Sequence, residues 1–303
     1  MKVYLEPTTS SRGIMRVRDA LVQYAPKDIE IVSNESDADL VVIHVYGRRN
    51  QIKAHVDALR EKGKQYTMIQ YAIRSTQEPS TFSWYPMWKD AKLVWSYYDL
   101  KALMKEDLSW DYPSLKEMAE NGDPNFRFYY APLGVDASKF KETYQQKEFI
   151  IHTHSQGYLV ESVRECIFAA RNVKQKVFYS GKELKRPDVF CRTGIPDWEL
   201  ANWYSQCRYV SGLRRLEGFE LPVIEGALCG ARPIVFDKPH YRQWFDKFAI
   251  FIPEGTREEV IESLTTIFDM KMPAPGVTEE EKELIRKTFN WETIIKEFWT
   301  LVK

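Results

Sequence analysis

Two glutamates eight positions apart, Glu217 and Glu225, offer the clearest chemistry in this 303-residue sequence. They lie in Ser211-Gly-Leu-Arg-Arg-Leu-Glu217-Gly-Phe-Glu-Leu-Pro222-Val-Ile-Glu225-Gly-Ala-Leu-Cys-Gly230-Ala-Arg-Pro-Ile-Val-Phe-Asp237, a stretch that reads as strand, glycine-containing loop, short helix and strand. Pro222 suits a first helical turn, where its missing N–H costs nothing, and Gly230 suits a left-handed exit. The N-terminus of such a helix offers unpaired N–H groups and positive dipole at the carboxyl edge of a strand, where α/β sheets take phosphates, so a diphosphate fits there. The spacing puts Glu225 on the first turn, ionised, with two oxygens for a pair of ribose hydroxyls. Glu217, in the loop before it, is placed to accept from sugar hydroxyls or to support positive charge developing on an anomeric carbon. Two isolated glutamates beside a tight turn would be ordinary surface carboxylates; the surrounding residues must decide.

The elements that would position them alternate short β-rich apolar runs with helix-period segments, the pattern of parallel sheets covered by crossover helices. In the first half, strands are predicted at 2–5, 29–32, 40–45, 66–71, 92–96 and 128–132, with a loop and helix over 11–24 and a helix at 51–62. In the second, strands fall at 149–153, 176–179, 209–212, 233–236 and 249–252, with helices at 256–270 and 278–299 opened by the capping residues Thr256 and Thr278. After the first strand, Ser10-Ser11-Arg12-Gly13 could approach a phosphate, Gly13 by close backbone contact and Arg12 by charge, or form an ordinary turn. The aromatic run Trp84 to Trp88 would line a site or fill a core.

Composition narrows the classes. With 44% hydrophobic and 28% charged residues the chain is an ordinary globular protein, and 43 basic residues against 43 acidic ones give no general attraction to nucleic acid or anionic lipid. Four scattered cysteines without a C-x-x-C pair suit reduced thiols and a cytoplasmic setting. No apolar run approaches the length of a transmembrane segment. His44, His55 and His240 are scattered, and only His152 and His154 share a strand face, which is too few ligands for a metal site. Neither the dinucleotide fingerprint nor the Walker phosphate loop is present.

The segment from Glu217 to Val235 closely resembles the E-x7-E signature of family-4 glycosyltransferases. Ala131-Pro-Leu-Gly-Val-Asp136-Ala-Ser-Lys-Phe140 resembles that family's interdomain motif, Gly194-Ile-Pro-Asp-Trp-Glu-Leu200 resembles a further segment, and Phe289-Asn-Trp291-Glu292 its C-terminal one. The resemblance implies an α/β, GT-B-like chain of two Rossmann-like domains facing across a cleft: 1–133 on the acceptor side, a linker at 134–145, 146–289 on the donor side, and a last helix, 290–303, crossing back. It implies a retaining, metal-independent transfer of a hexose-type sugar from a nucleotide-sugar, UDP-sugar favoured, with no cofactor beyond that substrate. Glu217 then matches the residue that contacts the donor sugar, Glu225 the one that holds the ribose, and the amides of Phe219, Glu220 and Leu221 those that meet the sugar and distal phosphate.

The sequence departs from the family's donor-site motifs at two places. Glu220 stands where glycine is usual, so its carboxylate must either point away or alter which sugar fits. After the first strand of the second half the family places an Arg and then a Lys on the diphosphate, whereas this chain reads Ile151-His-Thr-His154-Ser-Gln-Gly-Tyr158. A departing nucleotide diphosphate still requires compensation, and Lys182, Arg214 and His154 are the candidates to supply it. The acceptor is open: a sugar, a lipid-linked sugar, a protein or a modified nucleic-acid base. A nucleotide-sugar-binding protein without transfer activity is the rival from another class.

Overall fold

The structure, a computed structural model, describes residues 1–7, 12–46, 49–71, 84–100, 127–154, 160–215, 218–269 and 274–303. The chain forms two compact units, one of Met1–Gly134, Glu217–Phe219 and Trp291–Lys303 and the other of Val135–Leu216 and Glu220–Asn290.

The first unit is built on a six-stranded sheet in the order β2-β1-β3-β4-β5-β6. Its strands are β1 (Lys2–Leu5), β2 (Glu30–Val32), β3 (Leu40–Val45), β4 (Gln65–Gln70), β5 (Val94–Ser96) and β6 (Phe128–Tyr130). Every pairing is parallel. A parallel sheet is covered on both faces, so its inner strands read as continuous apolar runs; all six residues of β3 are buried. Helices α1 (Arg12–Gln23), α2 (Arg49–Glu61) and α3 (Tyr85–Trp88) belong to this unit. In the aromatic run, Trp84 and Trp88 are fully buried, and the indole of Trp88 donates to Gln70 Oε1 at 2.9 Å, so these two rings serve the core.

The second unit is a six-stranded sheet in the order β12-β11-β10-β7-β8-β9. Its strands are β7 (Phe149–His154), β8 (Val177–Ser180), β9 (Val189–Arg192), β10 (Cys207–Gly212), β11 (Arg232–Phe236) and β12 (Ile250–Ile252), again all parallel. Helices α4 (Val163–Asn172), α5 (Asp197–Ser205), α6 (Leu221–Leu228), α7 (Pro239–Phe245), α8 (Arg257–Phe268) and α9 (Glu279–Thr288) belong to it. Ile151, Tyr209, Ile234 and Phe236 from the sheet pack with Cys166, Ile167, Val260 and Leu264 from α4 and α8.

This is the doubly wound order, in which the fourth strand in sequence lies beside the first. The chain winds outward one way from β7 through β8 and β9, and the other way from β10 through β11 and β12. Between β7 and β10 the connections leave on opposite sides, and their carboxyl ends frame a crevice where such sheets bind ligands.

The predicted strands are found within a residue or two, but β9 is unpredicted. Its residues Val189-Phe-Cys-Arg192 occupy an edge with only Val189 buried, too short and mixed to show a period. The single helix predicted over 278–299 is two, α9 and α10 (Trp291–Val302). They separate at Phe289 and Asn290, where the Val135 N–H donates to Phe289 O at 2.8 Å and Val135 bridges to Asn290. No described helix is long and apolar enough to cross a membrane. All four cysteines are free thiols.

Candidate functional site

His154 ends β7 and Gly212 ends the neighbouring β10, so the loops that follow both strands open onto the switch point. Residues 213–220 lead from β10 into α6. Gly212 is required by packing: a Cβ there would lie 2.4 Å from Val223 and 2.8 Å from Val235 side-chain atoms. Gly226 does the same from within the helix, where a Cβ would meet Val210 at 2.7 Å. These two glycines let α6 lie close against the sheet, with its N-terminus at the crevice.

Helix α6 starts at Leu221 with Pro222 in its first turn and exits through Gly230 at φ +84°, as the sequence indicates. The Leu221 N–H is among the donors a helix start leaves without an intrahelical acceptor. Glu225 is the fifth residue of this helix, and the first turn holds no acidic residue, which corrects the expectation that placed it there. The helix dipole therefore does little for this carboxylate. It is instead 2% exposed and accepts a hydrogen bond from Tyr204 Oη, on α5, at 3.2 Å. The Tyr204 ring packs edge-on against His152, 4.6 Å between centroids, and His152 Nε2 lies 2.7 Å from Ser180 Oγ. Burial holds His152 well below the usual histidine range, with His154 adding to the effect, so a neutral imidazole backs the tyrosine.

Glu220, the residue just before α6, is 3% exposed. Its carboxylate turns toward the strand ends: Oε2 lies 3.4 Å from His154 Nε2, and Oε1 lies 3.7 Å from Arg214 Nε. Burial alone would raise its pKa, but His154, Arg214 and Lys238 together bring it below the ordinary value, so Glu220 stays ionised. Arg214 also donates from Nη1 to the buried Glu161 at 3.2 Å. Arg215 reaches Glu165 at 3.5 Å and the Gly255 carbonyl at 3.0 Å. Lys238 is held by the carbonyls of Arg214 and Arg215 at 2.9 and 3.1 Å and by Glu254 at 2.9 Å. Arg214 and Arg215, at the start of the loop after β10, are thus held by the buried carboxylates of Glu161, Glu220 and Glu165.

The candidates predicted from sequence divide accordingly. Glu220, Arg214 and His154 come together at the strand ends, with Leu221 beginning the helix beside them. Phe219 precedes Glu220 in the same loop and is partly exposed. Lys182 is exposed on the turn after β8, and no ion pair joins it to the Glu220 group. Gly13 is the second residue of helix α1, which corrects its reading as a turn glycine; Arg12 opens the same helix. Glu217 lies outside the described residues, as does the side chain of Arg12.

Sequence reasoning missed Tyr204, Glu161 and Glu165. Tyr204 lies on the buried face of α5 with Leu200 and Ala201, and that spacing resembles plain core. Glu161 and Glu165 flank the start of α4, where a carboxylate reads as a dipole partner rather than a buried counter-ion. No group of three or more possible metal ligands occurs among the described residues.

No family model matches this chain, and no curated protein does. Solved structures match it over nearly its whole length. A sucrose-phosphate synthase from Thermosynechococcus elongatus is 11% identical with a TM-score of 0.72, covering 99% of this chain and 98% of that one. Anabaena HepE, solved with UDP and glucose, is 11% identical with a TM-score of 0.69, covering 98% and 97%. A UDP-forming α,α-trehalose-phosphate synthase from Burkholderia xenovorans, solved with glucose-6-phosphate, is 11% identical with a TM-score of 0.62, covering 96% and 77%. The two parallel six-stranded sheets are those of the GT-B glycosyltransferase fold.

Proposed function

We propose that this chain is a glycosyltransferase whose second unit takes a nucleotide-sugar donor, UDP-sugar favoured, at the carboxyl ends of β7 and β10. The observation that carries the reading is the position of the second glutamate of the E-x7-E segment and of the helix that bears it. Its buried Glu225 and the start of α6 stand at the topological switch point of a doubly wound sheet. HepE was solved with UDP, and the trehalose-phosphate synthase is UDP-forming, which favours uracil as the base.

In this reading Glu225, oriented by Tyr204, accepts from the ribose hydroxyls. The helix start at Leu221 meets the distal phosphate, and Arg214 with His154 supplies the positive side of the diphosphate site. Glu217 takes the donor-sugar contact that its family resemblance implies. The bond from the anomeric carbon to the phosphate oxygen breaks as the acceptor oxygen attacks from the same face, and the departing nucleotide diphosphate takes the acceptor proton. Configuration is retained, and the compensating charge comes from side chains and backbone amides rather than a required metal. The acceptor belongs to the class of sugars, lipid-linked sugars, proteins or modified bases.

The test is turnover: UDP-glucose, GDP-glucose and ADP-glucose are incubated with the protein and candidate acceptors, and release of nucleotide diphosphate is followed. Transfer by the wild type and its loss in Glu217→Ala, with nucleotide still bound, is the expected result. Nucleotide binding without release or transfer from any donor would favour a binding protein instead.

A further inference from the structure

The reading of Arg214 and His154 as the diphosphate's partners leaves Glu220 in conflict with the ligand. A carboxylate 3% exposed is not a surface charge, and its pairing is not arranged for strength. The contacts to His154 at 3.4 Å and Arg214 at 3.7 Å are longer than charge-assisted hydrogen bonds, which close to roughly 2.7–2.9 Å. Two neighbouring ion pairs are closer, Arg214 to Glu161 at 3.2 Å and Lys238 to Glu254 at 2.9 Å, while Arg215 to Glu165 is 3.5 Å. Arg214 therefore keeps a second buried carboxylate if it loses the first. The carboxylate sits at the last residue before α6, so it is an anion at a position where helix geometry favours one.

Resting on the donor-site reading above, we propose that Glu220 is an intramolecular competitor of the donor diphosphate, holding Arg214 and His154 by loose ion pairs that the diphosphate displaces. A diphosphate brings more acceptor oxygens to the same two side chains and can close shorter bonds with them. The displaced carboxylate must leave the immediate vicinity of the phosphates, because like charges side by side in a buried site repel strongly. Affinity for the diphosphate moiety of the donor is thereby set below what Arg214 and His154 alone would give, while the nucleoside moiety, held at Glu225, is untouched. The same exchange favours product release, since Glu220 returns as the nucleotide diphosphate departs.

The experiment is calorimetric titration of the wild type, Glu220→Gln and Glu220→Gly with three probes: UDP, uridine and inorganic pyrophosphate. Gln keeps the shape and removes the charge. Gly is well tolerated just before a helix and supplies the test if the Gln variant does not fold. The expected result is that UDP and pyrophosphate bind roughly tenfold or more tightly to the variants, the direction being set by removal of a like charge, while uridine is unchanged. UDP binding that neither variant improves, or an equal gain for uridine, would overturn the proposal while leaving the donor site in place. Pyrophosphate separates the two ideas: if no nucleotide binds but pyrophosphate binds the variants more tightly, the competitor role stands and the nucleotide-sugar reading falls. Binding of none of the three probes to any of the proteins overturns both.

Discussion

At Glu225 a single hydroxyl helps to hold a carboxylate that burial would otherwise penalise. Tyr204 donates to it at 3.2 Å, and the tyrosine ring is itself fixed between α5 and His152. Tyr204→Phe removes that donor from a buried charge and is expected to cost about 1–3 kcal/mol of stability. It should weaken nucleotide binding as well, both read by urea denaturation with and without UDP. A second residue-scale device lies in the first unit, where His55 stands between Glu6, at 3.4 Å, and Glu35, at 2.7 Å. The Glu6 contact, then the Glu35 contact, raise its pKa against the opposing effect of burial. A raised folded-state pKa means that the protonated form stabilises the fold. This contribution is complete below the ordinary histidine value of 6.5 and is lost as pH rises through the higher folded value. Stability of the wild type should therefore fall relative to His55→Gln as pH rises above 6.5; parallel profiles for the two proteins would refute this.

At the scale of elements, the site depends on how closely α6 approaches β10. Gly226 faces Val210 with no room for a methyl group, so Gly226→Ala forces α6 off the sheet. It is expected to destabilise the chain by about 1–3 kcal/mol and to weaken nucleotide binding through the displaced helix start, measured by denaturation and titration. The element types were legible because parallel strands such as Leu40–Val45 are continuous apolar runs and because Pro222, Gly230, Thr256 and Thr278 mark helix ends by local chemistry. Both threonines form capping boxes, with Glu259 and Glu281. The break between α9 and α10 was not legible, since it depends on Val135, distant in sequence, pairing at Asn290. The exact turn on which Glu225 sits was also hidden, because a proline can occupy either of the first helical positions. The buried pairing of Glu220 and Arg214 with His154 brings together two separate stretches of chain that no spacing rule links.

Across the whole molecule, the twelve residues of α10 complete the first unit, far from it in sequence. Trp299 is fully buried and donates its indole N–H to the Leu21 carbonyl at 3.2 Å, while Phe298 packs 5.5 Å from Trp95. Trp299→Ala is expected to cost about 3–5 kcal/mol, seen as a lower denaturation midpoint. The GT-B fold is shared with sugar-phosphate synthases at 11% identity, so the fold alone does not name a substrate. The central claim, that the second unit binds a nucleoside diphosphate at Glu225, is tested most directly by thermal denaturation of wild type and Glu225→Ala with UDP, GDP and ADP. A ligand at about a hundred times its dissociation constant adds roughly 2.7 kcal/mol. One nucleotide should raise the wild-type midpoint clearly and leave that of Glu225→Ala almost unmoved. No response to any nucleotide at millimolar concentration, or an equal response in both proteins, would contradict the account.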